Sequence, residues 1–100
     1  MTNEAELRKD ISSIVHKILI LIRKDRIIPN GEISMLIDYL DDLKIFTKGR
    51  DDISKKLVYE LFYLYTTVIS QISYNKDVDI SIVTELYMKI TSVFNDGLYQ

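Results

Sequence analysis

A catalyst drawn from this sequence would have to be built from a single histidine, two pairs of neighbouring aspartates and no cysteine. Histidine is the side chain suited to moving protons near neutral pH, but His16 projects away from the apolar stripe of its segment and reads as a solvated surface residue. Asp41 with Asp42, and Asp51 with Asp52, are adjacent in sequence, and adjacent helical residues point in different directions. The first pair therefore reads as a solvated face, and the second as capping for a helix that follows. The chain carries no nucleophile elbow, no phosphate-cradling glycine loop and no HExxH pair. Without cysteine there is no disulfide and no thiolate zinc site, and one histidine cannot make a histidine-rich metal site. The expectation is a non-enzyme with no cofactor, no metal and no small-molecule substrate.

Recognition chemistry is better represented. The run KLVYELFYLYTTVISQISY, from Lys56 to Tyr74, carries no charge for the fourteen residues after Glu60. Leu57, Leu61, Leu64, Val68 and Ile72 recur at helical spacing, and Val58, Phe62, Tyr65 and Ile69 widen the stripe. At about 100° per residue, Tyr59, Tyr63, Thr66, Thr67 and Ser70 share the opposite side, with Glu60 taken as the charged residue of that face. Two readings stay open for this hydroxylated, aromatic surface. Either the other helices wrap it and the tyrosines lie in seams, or it is a protein-docking face, since tyrosine offers a large rigid contact with a hydrogen-bonding tip. Leu98 and Tyr99 near the C-terminus share the ambiguity: they fold back on the molecule or project to a partner.

Arg23, Lys24 and Arg26, with Lys9 and Lys17 upstream, are the basic cluster. Cations in a last turn complement the helix dipole, and this is the preferred reading. Contact with anionic lipid, at about 1 kcal/mol per basic residue, is the alternative and leaves peripheral membrane association open.

Four helical segments position these groups. The first spans about Glu4 to Lys24, capped by Asn3, and turns Leu7, Ile11, Ile14, Val15, Ile18, Leu21 and Ile22 to one face. Pro29, Asn30 and Gly31 form a strong turn signal. A second helix follows from about Glu32 to Phe46, with Ile33, Leu36, Ile37, Leu40 and Leu43 inward. Gly49 suits the left-handed position that ends it. Asp51 or Asp52 is expected to cap the third helix, which occupies the heart of the molecule. Asp79 is expected to cap a fourth, running to about Asn95 and burying Val83, Leu86, Tyr87, Ile90 and Phe94. Short connections favour antiparallel neighbours. The expectation is an all-α, antiparallel up-down-up-down four-helix bundle forming a single domain over residues 1–100.

One hundred residues suffice for one core. A net charge of -2 argues against a nucleic-acid domain, which needs a concentrated positive excess. No stretch reaches the roughly 18 apolar residues of a membrane span, and the start, with Asn3, Glu4 and Glu6, lacks the pattern of a secretion signal. A cytoplasmic location is expected.

Two family resemblances bear on function. The run ELRKDISSIVHKILILIR is similar to the first helix of the all-helical chorismate mutases, which bind a dicarboxylate through arginines and lysines. Asp25 stands where that pattern has an arginine, and Met35 to Ile37 where it has a lysine, so the substrate charges would go unpaired.

The whole-chain layout, the third-helix run KLVYELFYLYTT and the ending NDGLY resemble the immunity proteins of pediocin-like bacteriocins, of the enterocin A immunity type. That resemblance implies a non-enzymatic cytosolic protein of a Gram-positive producer, which recognises a bacteriocin bound to a membrane sugar-transporter receptor. It implies that the C-terminal part contributes specificity, which selects Gly97, Leu98 and Tyr99, with Tyr59 and Tyr63 behind them. The competing class is a general helical interaction module, such as an antitoxin, phage regulator or adaptor, using the same tyrosine face.

Overall fold

A computed structural model describes residues 3–50, 52–74 and 80–95. Four helices account for most of them: α1 Glu4–Asp25, α2 Asn30–Thr47, α3 Lys55–Ile72 and α4 Ile80–Phe94, with no strand among the described residues. The fold is all-α, with bundle-like packing among the helices.

The helix ends follow local chemistry. The Asn3 side chain accepts the Glu6 N–H at 2.8 Å, satisfying one of the amides that the first turn leaves unpaired. At the other end Arg26 takes the left-handed conformation at φ 56°, and its N–H donates to the Ile22 carbonyl. Helix α2 starts at Asn30, earlier than the turn signal suggests, because the Pro29 carbonyl accepts the Ile33 N–H and takes Asn30 and Gly31 into the first turn. Gly49 is left-handed at φ 79°, as its place beyond α2 suggests. The cap of α3 corrects the sequence reading. Ser54, nearer the helix than the aspartates, accepts the Leu57 N–H at 3.3 Å, while Asp52 is exposed and pairs with Arg50 at 3.8 Å. Asp51 and Asp79 lie outside the described residues.

The core takes Leu7, Ile11, Ile18 and Ile22 from α1, Ile33, Leu36, Leu40 and Leu43 from α2, Leu57, Leu61, Leu64 and Val68 from α3, and Val83, Leu86 and Ile90 from α4. Helix α1 packs against both α2 and α3, and α2 also packs against α4. With neighbours on two sides, α1 buries a wider arc than one amphipathic face. Leu19, absent from the expected stripe, is therefore buried, whereas Leu21 is only half-buried.

Helix α3 is not the centre. It packs mainly on α1 and meets α4 along a short seam, where Phe62 stacks on Phe94 at 5.8 Å and Tyr65 tilts against Tyr87 at 5.5 Å. Phe62 is 58% exposed, Ile69 and Tyr87 are also exposed, and Phe94 is only partly buried. An uncharged circumference records the absence of charge, and burial depends on how many neighbours the topology supplies.

Candidate functional site

Helices α1 and α3 leave three open cavities along their shared seam. The first, about 290 Å³, lies between Arg8, Lys9 and Ser12 of α1 and Ser54, Lys56 and Glu60 around the start of α3. The second, about 240 Å³, is lined by His16, Leu19 and Arg23 from α1 and by Tyr59, Glu60 and Tyr63 from α3. The third is a cleft of about 730 Å³ between Arg23 and Arg26 on one side and Tyr63, Thr67, Ser70 and Tyr74 on the other. Glu60 joins the first two, and Arg23 with Tyr63 joins the last two.

The two tyrosines singled out from the sequence are on the surface. Tyr59 is 67% exposed and Tyr63 39%, with ring centroids 5.9 Å apart. The seam reading fits Tyr63, which stands against Arg23 of α1, whereas no helix among the described residues covers Tyr59. Tyr63 is held in place. Arg23 donates through Nη2 to its hydroxyl, and the guanidinium carbon stands 5.7 Å from its ring centroid. A charged donor makes this a stronger contact than a neutral hydrogen bond, and the ring face adds attraction. Thr66 and Thr67 donate their hydroxyl protons to the Phe62 and Tyr63 carbonyls of their own helix. What these hydroxyls offer outward is lone pairs. Gly97, Leu98 and Tyr99, the other selected residues, lie outside the described residues.

Glu60 is the residue the sequence reading placed on the wrong face. It is only 8% exposed. Its Oε1 accepts the Ser12 hydroxyl at 2.9 Å, while Oε2 is buried with no hydrogen-bond partner among the described residues. The signal was available: at about 100° per residue Glu60 lies some 60° from Leu57, on the edge of the apolar stripe. Gln71 falls beside it on the same count, is equally buried, and donates through Nε2 to the Arg26 carbonyl at 2.8 Å. His16 is exposed as expected, yet it stands on the rim of the second cavity.

The basic cluster divides. Arg23 and Arg26 line the third cavity and Lys9 the first, while Lys17 reaches Glu32 of α2 at 3.6 Å. Two other ion pairs tie the framework. Arg50 makes two hydrogen bonds to Glu4, at 2.9 and 3.1 Å, anchoring the chain after α2 to the start of α1. This bond holds the Glu4 carboxyl below its ordinary pKa, and the same bond raises Arg50. Asp41, read as a solvated residue, pairs with Lys89 of α4 at 2.8 Å, and that hydrogen bond raises the Lys89 pKa.

Among the described residues no three His, Cys, Asp or Glu side chains are grouped to hold a metal ion, and no helix is long and apolar enough to cross a membrane. Compared with protein-family models, with curated proteins and with solved structures, the chain matches none of them.

Proposed function

We propose that this protein works by contact, as an immunity protein against a pediocin-like bacteriocin, recognising the bacteriocin–receptor complex from the cytoplasmic side of the membrane. The observation that carries the reading is the exposed pair Tyr59 and Tyr63 on a face with few charges, the latter fixed by Arg23. A rigid aromatic side chain with a polar tip gives much contact area for little entropy lost on binding. The resemblance in KLVYELFYLYTT and NDGLY supplies the partner, and assigns Gly97, Leu98 and Tyr99 to specificity.

The same reading includes a bundle whose helices alternate in direction. Its support lies in paired contacts. Glu4 meets Arg50, Ser12 meets Glu60 and Arg26 meets Gln71, a rising order that suits parallel α1 and α3. Phe62 with Phe94, and Tyr65 with Tyr87, run in opposed order, which suits antiparallel α3 and α4. Exposed Phe62 and Tyr87 favour a second reading, a helical interaction module that docks a different protein along the α3–α4 seam.

The test is a sensitive strain expressing the intact chain, a chain ending at Asp96, or a Tyr59→Ala, Tyr63→Ala variant. Protection by the intact chain and its loss in the other two is expected. Unchanged killing of cells that express the intact chain, across a panel of such peptides, would refute the immunity reading.

A further inference from the structure

The contact reading leaves Glu60 without a role. Buried polar atoms in folded proteins nearly always have partners, and an ionised carboxylate offers about four acceptor sites. Glu60 receives one neutral donor, the Ser12 hydroxyl, and its Oε2 receives none among the described residues. The cations Arg8, Lys9 and Lys56 line the first cavity with it, yet none of them forms a hydrogen bond or ion pair to it among the described residues. The second cavity is lined by a different combination: Glu60, Arg23, the His16 imidazole, two tyrosines and the apolar side chains of Val15 and Leu19.

The charges on that cavity select the ligand. A bare amine would be drawn to Glu60 and repelled by Arg23, and a bare carboxylic acid would meet the reverse. A molecule carrying both charges satisfies both groups. A small one is suited because Glu60 and Arg23 line the same cavity without pairing with each other, Arg23 being held by its bond to the Tyr63 hydroxyl. A volume of about 240 Å³ holds one amino acid, and its walls favour an apolar side chain. The terminal torsion of a glutamate is soft, so a turn of the Glu60 carboxyl brings Oε2 toward an incoming ammonium without moving α3. We propose that the α1–α3 seam binds a free amino acid of leucine-like size, its ammonium on Glu60 beside the tyrosine rings and its carboxylate on Arg23. Binding is non-covalent, and the proposal is independent of the immunity reading.

The experiment is a chemical-shift titration of the isotopically labelled full chain with L-leucine, with isoamylamine and with 4-methylpentanoate, the last two each retaining one of the two charges. Saturable shifts confined to residues 12–23 and 56–63 are expected for leucine, with at least tenfold weaker binding of either single-charge analogue. Glu60→Gln and Arg23→Gln, checked for retained helix content, are each expected to weaken leucine binding by tenfold or more. If leucine fails to saturate, or if the amine alone binds as tightly as leucine, the proposal is overturned. Unchanged affinity in Glu60→Gln overturns it as well. Should a variant lose its fold, the three-ligand comparison on the unaltered protein decides alone.

Discussion

Ser12 on α1 donates its hydroxyl hydrogen bond to Glu60 on α3 at 2.9 Å, and it is the one partner that the Glu60 carboxylate has among the described residues. Removing a partner from a buried acceptor costs more than the bond was worth, because the orphaned group keeps its desolvation penalty. Ser12→Ala is therefore expected to destabilise the fold by about 1–3 kcal/mol. Replacing Glu60 with leucine removes the charge as well as the need for a partner, and is expected to be neutral or stabilising by about 1–2 kcal/mol. In the Glu60→Leu background, Ser12→Ala should cost little. Urea unfolding of the four proteins in this cycle measures the coupling, and simple additivity would show that the two side chains do not interact in solution.

The exposed tyrosines and the core should part company in the same measurement. Leu40 is fully enclosed, and Leu40→Ala is expected to cost about 2–5 kcal/mol. Tyr59 is 67% exposed, and Tyr59→Ala should stay within about 0.5 kcal/mol of the parent. A stable Tyr59→Ala chain that no longer protects cells separates a binding role from a structural one. A loss near that of Leu40→Ala would mean that the ring is covered in solution.

Helical periodicity is a local property, and what it can name it names well. Leu57, Leu61, Leu64 and Val68 are buried as their spacing requires, and Tyr59 with Tyr63 falls on the surface opposite. The side of a helix that finds a neighbour is not local. Leu19 is buried because α3 lies beside α1, and Tyr87 is half-exposed because the α3–α4 seam is short. The Arg23–Tyr63 contact joins residues 40 apart and has no trace in either segment alone. The angle of Glu60 places it beside the apolar stripe, while its charge suggests solvent, and the angle decides its burial.

The two ion pairs respond to opposite ends of the pH scale. The Glu4 carboxyl is held below its ordinary pKa by the Arg50 hydrogen bond, so its contribution is present above the unfolded-state value and fades as pH falls through the lower folded-state value. Lys89 is raised by Asp41, so its contribution is present below the unfolded-state lysine value and fades as pH rises through the higher folded-state value. Arg50→Met should flatten the acid limb of a stability–pH curve. Lys89→Met should flatten the alkaline limb and cost about 0.2–1 kcal/mol at neutral pH, as partly exposed pairs do. Both effects should shrink at high salt. Acid and alkaline limbs that remain superimposable on those of the parent would show that these pairs do not persist in solution.

Two glycines make the sharpest test of the backbone, because the same substitution should act with opposite signs. Neither Gly31 nor Gly49 has an atom within 4 Å of where a Cβ would stand, so crowding is not the issue at either place. Gly31 lies in the first turn of α2 with an ordinary helical backbone, and alanine there narrows the unfolded ensemble and favours the helix by about 0.5–1 kcal/mol. Gly49 sits at φ 79°, where a Cβ meets its own backbone, and alanine is expected to cost about 1 kcal/mol. In a domain of this size 1 kcal/mol moves the melting temperature by roughly 4–8 °C. Gly31→Ala should therefore melt above the parent and Gly49→Ala below it. If the two variants melt together, the connection between α2 and α3 does not hold the left-handed turn that places Arg50 on Glu4.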